Sequence, residues 1–439
     1  MSALGNKDHE LIRRDTALSG LSLLLDAEQL RRKLSHHIDT SKLEDFKLSY
    51  VRYKPGMNCL GRYEFRLGGK THMAYAKTFT ADAAIKLDKA RIIPQLNGPL
   101  GPGRLVLPES NLFISFFPND LRLRSISRLS RPEARDRLLG RIFDDNLDWE
   151  GCEKSILNYK PERRLVVRLV HPKGRAATVK FYTRQEFSRI SKLRKPGLNS
   201  DEMRLPKRIG DSRKHRAFAF DWIAGDTLRS YGQAPGTARA HFRRAGQLIA
   251  QFHAGSASGL SRNDKSLQSR TLQSLAGQLI FLMPELQDKA KELAQELQFV
   301  PTMTTAGLGP VHGDFYDKQV IVGADELSLI DLDRAHIGTA YEDLGCFLAH
   351  QEWLAIKAQG TGRKRIFSLS SAFLDGYIEA SGRFDEQQLA GWTALYLFRL
   401  SHCPFRDRDR DWPGQTDEIL KRVGELLRAS RQRLQRARG

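Results

Sequence analysis

The sequence predicts an α+β protein in two unlike parts: a β-rich part up to about residue 230 and a helical part after it. Three observations predict this. Short β-type apolar runs fill residues 48–182, and they come as two similar sets. From residue 236 onward, apolar residues recur instead at i, i+3, i+4 spacing. One short β-rich island interrupts the helical pattern.

Taken in order, residues 1–45 read as a helical segment, with LSGLSLLLDAEQLRRKL apolar at helical spacing. Residues 46–145 carry the strand runs KLSYVRYK, CLGRYEFRL and MAYAKTF, and residues 146–230 carry SILNYK, RLVVRLV and AATVKFY. The sets repeat. Tyr53-Lys54-Pro55 returns as Tyr159-Lys160-Pro161, Arg62 as Arg168, and Lys77 of YAKTF as Lys180 of TVKFY. Each set then passes through a helical stretch to an apolar strand ending in a turn, LFISFFPNDLRL in the first and AFAFDWIAGDTL in the second. A duplicated unit of hairpin, strand and helix is expected. Residues 231–439 supply the helices, among them ARAHFRRAGQLIAQFH, a long RTLQSLAGQLIFLMPELQDKAKELAQEL, EDLGCFLAHQEWLAIKA and EQQLAGWTALYLFRL.

The bulk numbers narrow the classes. At 439 residues and 40% hydrophobic content, two or three packed domains are affordable. No run approaches the roughly 18 apolar residues of a membrane span, and the N-terminal stretch lacks a signal-peptide core. Cys59, Cys152, Cys346 and Cys403 are scattered with no CxxC pair, which argues against a disulfide framework or zinc site and predicts a reducing cytoplasm. The formal charge of +20 is spread along the chain, without the aromatic-interleaved basic motif of a nucleic-acid module. Attraction to phosphates is expected, a specific nucleic-acid partner is not.

The island, GPVHGDFYDKQVIVGADELSLIDLDRAHIG, holds the chemistry. His312-Gly313-Asp314 opens it, and Gln319 follows Asp314 by five residues. The strand LSLI then delivers Asp331, with Asp333 two residues on and on the same face if the chain stays extended. Phosphoryl transfer asks for these parts: oxygen ligands for a divalent metal, and a carboxylate that orients the attacking hydroxyl and takes its proton. Asp314 stands where such a base belongs and Gln319 at the spacing of a metal-binding amide. Asp333 reads either as a second metal ligand or as a loop acid, and His312 as a structural member of the loop.

On VHGDFYDKQVIV (311–322), LIDLDRAHIGTAYEDL (329–344), LIAQFHA (248–254) and FDWIAGDTL (220–228), the sequence resembles the aminoglycoside phosphotransferase and choline-kinase-like family. That family is the small-molecule branch of the protein-kinase-like fold, and the resemblance covers roughly residues 146–400. It implies a bilobal α+β fold, with a nucleotide lobe at 146–230 and a helical lobe at 231–439; the internal repeat places a second, non-catalytic lobe-like domain before it at 46–145. It implies ATP and Mg²⁺ as cofactors and Asp314 as catalytic base. It implies Gln319 and Asp331 as metal ligands, and Asp343 as a structural acid tying the following helix to the catalytic loop. The family usually has Asn where this chain has Gln319, which carries the same amide oxygen one methylene further out.

A nucleotide lobe of this kind needs a strand lysine for the phosphates and a helix glutamate to pair with it. Lys180 and Glu186 fill these places in the second set; the first offers Lys77, but Ala83 where the acid belongs. No GxGxxG precedes Lys180. The hairpin turn is Lys160-Pro161-Glu162-Arg163-Arg164, which leaves Arg163 or Arg164 to meet the phosphates. The hinge strand would read the adenine edge through its backbone, with Trp222 or Phe220 near the ring. The expected function is ATP-dependent transfer of a γ-phosphoryl group to a hydroxyl of a small molecule: a sugar, amino sugar or amino alcohol. The mixed charges of residues 350–412 and the basic chain tilt the acceptor toward a neutral or anionic one. The alternative is a pseudokinase or scaffold, suggested by Gln319 and the missing glycine loop and opposed by the paired acids Asp314 and Asp331. A protein kinase fits worse, since only ten residues separate Asp331 from the helix expected at Tyr341.

Overall fold

The computed structural model describes residues 4–83, 85–143, 149–192, 203–233, 237–262, 265–302, 304, 307–324, 326–358, 360–382 and 384–436. The domain boundary expected at residue 145 lies outside them, as do the last residues of the basic C-terminal stretch, 437–439. The chain divides into two compact units: 1–188 with 207–222 and 404–412, and 189–206 with 223–403 and 413–439.

The first unit opens with α1 (Asn6–Arg14), α2 (Leu21–Leu25) and α3 (Ala27–Leu34). The expected helical segment is thus three short helices. Asp26 ends α2 and, by accepting from the Gln29 N–H at 2.9 Å, caps α3. There follow β1 (Glu44–Lys54), β2 (Asn58–Leu67), β3 (Lys70–Phe79), α4 (Ile85–Ile92), β4 (Arg104–Leu107) and β5 (Leu112–Phe116). These strands form an antiparallel sheet in the order β1-β2-β3-β5-β4.

After α5 (Pro132–Leu139) the chain builds β6 (Glu153–Lys160), β7 (Arg164–Val170), β8 (Ala176–Tyr182), α6 (Arg184–Ile190), β9 (Arg208–Ser212) and β10 (Ala217–Asp221). Their sheet has the order β6-β7-β8-β10-β9, the same sequence of neighbours as the first. The registers agree as well. Lys77 stands opposite Leu60 and Phe113, and Lys180 stands opposite Val166 and Phe218.

Each sheet buries one apolar face. Leu60, Tyr75, Phe79 and Phe113 pack with Ala83, Leu87 and Ala90 around α4. Leu165, Val167, Val179 and Phe181 of the second sheet pack with Leu123, Ile126, Leu138, Ile142 and Trp149. The stretch before the second sheet, α5 included, is therefore that sheet's apolar cover. The same unit takes in residues 404–412, where the Arg408 guanidinium makes two 3.0 Å bonds to Asp8 and Phe405 packs on Tyr53.

The second unit contains β11 (Asp226–Thr227), α7 (Leu228–Gln233), α8 (Ala238–Ala254), α9 (Lys265–Leu282) and α10 (Gln287–Leu297). The island follows as β12 (Gly309–Val311), β13 (Val320–Val322), β14 (Leu327–Leu329) and β15 (His336–Gly338), paired as β11-β13-β14 and β12-β15. Then come α11 (Ala340–Lys357), α12 (Thr361–Ser381), α13 (Glu386–Leu400), α14 (Cys403–Arg406), whose last residues belong to the first unit, and α15 (Trp412–Arg436). The long helix expected over residues 270–297 is two, because Pro284 has no N–H to continue α9 and starts a 3₁₀ turn instead. A stack of buried rings anchors the island: Phe315 lies 5.6 Å from Phe347, which stacks on Phe373 at 3.8 Å. No helix among the described residues is long and apolar enough to cross a membrane.

Candidate active site

The loop after β12 is held from behind by one acid. Asp343 sits in the first turn of α11, where the Glu342 carboxylate accepts the Thr339 N–H at 3.3 Å. The fully buried Asp343 carboxylate accepts the backbone N–H groups of His312 at 2.6 Å and Gly313 at 2.9 Å, and the His253 Nε2–H at 3.0 Å. Burial alone would raise its pKa. The hydrogen bond and charge of His253, with His312 behind them, outweigh that and keep it below the usual carboxylate value. These bonds tie the first turn of α11 to the loop after β12. His312 is fully buried and donates from Nε2 to the Ile330 carbonyl at 2.8 Å, joining the loop to the strand that leads to Asp331. Gly313 has φ +76°, and a Cβ there would stand 2.4 Å from the Arg334 carbonyl, so no side chain fits.

The result is an Asp314 whose neighbours are fixed while it is not. Its side chain is 45% exposed and accepts no hydrogen bond among the described residues; Arg334 Nε lies 3.9 Å from Oδ2. Phe315 points the opposite way, into the ring stack. Tyr316, stacked on His350 at 4.2 Å, has its phenol pushed up by burial and then by the charges of Asp314, Asp331 and Asp317. Sequence reasoning missed Tyr316, Arg334 and Asp317. Asp317 is buried and bonded to Arg229 and Gln351, which pins the loop's far end. Their residue types carried no signal apart from lying inside the island.

Gln319 is buried, and its backbone carbonyl accepts from Ile330 N–H at 2.9 Å, while its carboxamide makes no hydrogen bond among the described residues. Asp331 adopts the left-handed region (φ 65°, ψ 47°), a strained conformation for a non-glycine residue. The chain then turns through a 3₁₀ segment, Leu332–Arg334. Asp333 is therefore not carried on an extended strand beside Asp331, as the i, i+2 spacing suggested. It is buried, and its carbonyl accepts from Arg189 Nη1 at 2.8 Å. His336 bridges the Arg334 carbonyl (3.0 Å) and Glu342 (3.1 Å). Burial would lower its pKa, but Glu342 more than compensates and raises it.

Among the described residues no three His, Cys, Asp or Glu side chains cluster as a metal cage. The chain offers hard oxygen donors instead, the free Gln319 amide and the Asp331 carboxylate. Such a set fits Mg²⁺, which keeps waters and takes substrate phosphates as its other ligands.

In the first unit, Lys180 lies half-buried on β8 with Nζ 5.3 Å from the Phe220 ring centroid. Glu186 opens α6 and stands 3.9 Å from Arg163 Nε. Arg164 begins β7, opposite Tyr182. Trp222 is stacked under the Arg168 guanidinium at 4.4 Å, and its backbone N–H goes to the Ala176 carbonyl at 3.3 Å. The Asp221 N–H goes to the Lys207 carbonyl at 2.9 Å.

Two five-stranded antiparallel sheets followed by a helical unit with a short β island make an α+β chain, and its sequence profile makes it a phosphotransferase. The chain belongs to the phosphotransferase enzyme family, whose sequence profile matches residues 154–398.

Among solved structures, it is similar to a choline/ethanolamine kinase family protein from Mesorhizobium loti, with 12% identity over 70% of this chain and 98% of that one and a TM-score of 0.44. Choline kinase from Cryptosporidium parvum Iowa II shows 11% identity over 66% and 92% of the two chains, with a TM-score of 0.47. A thermostable aminoglycoside phosphotransferase mutant, in ternary complex with ADP and hygromycin B, shows 11% identity over 68% and 98%, with a TM-score of 0.48. No curated protein sequence matches the chain.

Proposed function

We propose that the protein is an ATP-dependent kinase that transfers the γ-phosphoryl group to a hydroxyl of a small molecule, with Asp314 as catalytic base. The observation that carries this reading is the asymmetry of the loop: Asp343 fixes the backbone of His312 and Gly313, and leaves the Asp314 carboxylate exposed and without a hydrogen bond among the described residues. In the proposed reaction the acceptor hydroxyl gives its proton to Asp314 as its oxygen bonds to the γ-phosphorus. The bond from that phosphorus to the β–γ bridging oxygen breaks, and ADP leaves. Gln319 and Asp331 would hold Mg²⁺, which when bound offsets the phosphate charge. Lys180 is the proposed cation for the nucleotide phosphates, with Glu186, Arg163 and Arg164 around it, and Asp333 supports the metal loop through its backbone.

Arg334 beside the base bears on the acceptor. A guanidinium 3.9 Å from Asp314 repels a polyamine-like substrate and suits a neutral or anionic one, a sugar or sugar acid rather than an aminoglycoside or choline. The test is incubation with Mg-ATP and a panel of neutral, anionic and cationic alcohols, read by mass spectrometry. A phosphoryl mass gain on neutral or anionic members, lost in Asp314→Asn, is expected. Gain on cationic members alone would overturn the acceptor assignment.

A further inference from the structure

The hairpin turn that precedes a nucleotide-binding strand is usually open and rich in glycine. Here it is closed from outside by the first sheet. Glu162 occupies the turn between β6 and β7 with φ 55°, although it is not glycine, and it is only 4% exposed. Its carboxylate meets Lys77 Nζ of β3 at 2.5 Å, with Arg52 Nη2 at 3.6 Å and Arg122 Nε at 3.8 Å. The backbone is held too. Glu162 N–H donates to Asp120 Oδ2 at 2.7 Å, Arg52 donates to the Pro161 carbonyl at 3.3 Å, and Arg62 donates to the Tyr159 carbonyl at 2.7 Å. The Tyr159 hydroxyl donates to the same Asp120 oxygen at 2.9 Å.

The other sheet shows what is added. Its turn carries Gly56 at the matching place, with φ 64° and exposed. Asp15 accepts the Gly56 N–H at 3.0 Å and the Tyr53 hydroxyl at 2.5 Å, as Asp120 does for Glu162 and Tyr159. The aspartate anchor is thus common to both turns, whereas the buried carboxylate and its lysine belong to the second alone. Lys77 holds in β3 the register position that Lys180 holds in β8, but it is 8% exposed and its ammonium is spent on Glu162. Burial pulls its pKa down, against the pull of Glu162.

We propose that Lys77 and Glu162 are positioning residues for the nucleotide phosphates: the first sheet's strand lysine clamps the β6–β7 turn, so that Arg163 and Arg164 are presented by a fixed turn rather than a mobile one. The inference rests on the proposed nucleotide role of the second sheet. A preformed turn costs less ordering when the phosphates bind, and that saving is lost when the clamp is cut. An adenosine without phosphates gains nothing from it.

Calorimetric titration of the full-length protein with Mg-ATP and with adenosine tests this in Lys77→Met, Glu162→Gln, Glu162→Gly and Lys77→Arg. Glu162→Gly keeps the positive φ at no steric cost and so keeps a foldable turn without its clamp. The clamp predicts Mg-ATP affinity about tenfold weaker in the first three variants. Adenosine affinity stays unchanged, and Lys77→Arg recovers most of the loss. Wild-type Mg-ATP affinity in cooperatively folding Glu162→Gly, or adenosine weakening in step with Mg-ATP, would overturn the clamp alone. Wild-type protein that binds neither ligand would overturn the nucleotide role beneath it as well.

Discussion

The two five-stranded sheets share strand order, register and an aspartate-anchored hairpin turn, yet their third-strand lysines live in different surroundings. Lys180 is half-buried with its Nζ 5.3 Å from the centroid of the Phe220 ring, and an acid-opened helix comes next in the chain. Lys77 is sealed against Glu162, and the residue at the acid's place is Ala83. A strand lysine is therefore not a phosphate ligand by position alone. Its exposure and the carboxylate that claims it decide what it can do, because a buried ammonium already paired has no unmet charge to offer a ligand.

The sharpest way to break this comparison is to remove each lysine in turn. Lys180→Met is expected to lower turnover about a hundredfold or more, as loss of a preorganised charge on a transferring phosphoryl group does. Lys77→Met is expected to raise the KM for Mg-ATP and leave kcat near wild type, since its action passes through the turn. Steady-state kinetics that reverse this order would exchange the roles of the two sheets.

The paired aspartates sharpen it further. Asp15→Asn weakens two hydrogen bonds, from the buried Tyr53 hydroxyl and the Gly56 N–H, and Asp120→Asn weakens four, from the Tyr159 hydroxyl and the Glu162, Arg122 and Leu123 N–H groups, so each is expected to cost about 1–3 kcal/mol in urea unfolding. Only Asp120→Asn is expected to weaken Mg-ATP as well, because only its turn leads to the strand proposed to carry the nucleotide lysine. Equal nucleotide effects from both would erase the distinction.

The smallest effect separates the sheets from the island. His336 has its folded pKa raised through Glu342, so its contribution to stability is complete below the ordinary histidine value near 6.5 and is lost as pH rises through the folded value. Thermal unfolding from mildly acid to alkaline pH should show that loss in wild type and in the Lys77 and Glu162 variants alike, and not in His336→Phe.

Much of this was legible in the sequence, for identifiable reasons. The two strand sets were readable because their tripeptides and lysines recur at nearly constant offset. The island was readable because Asp314, Gln319 and Asp331 keep a spacing that the short hairpin β13–β14 enforces. What escaped notice depends on distance or on backbone strain. Nothing local ties Lys77 to Glu162, which stand 85 positions apart, or links Asp15 and Asp120, whose flanks RRDTAL and PNDLRL differ. The left-handed turn at Asp331, which takes Asp333 off the strand, is imposed by tertiary contacts that no period in the sequence records. Pro284 was visible, but the amphipathic run on either side of it masked the break.

The most direct test of the central claim compares wild type with Asp314→Asn for phosphoryl transfer from Mg-ATP to the alcohol panel, with Mg-ATP binding measured on the same two preparations. A phosphorylated product from wild type, a loss of about a hundredfold or more in Asp314→Asn, and nucleotide binding retained by both are expected. Product formed equally well by Asp314→Asn, or a wild-type protein that binds Mg-ATP and transfers to no alcohol, would contradict the central claim.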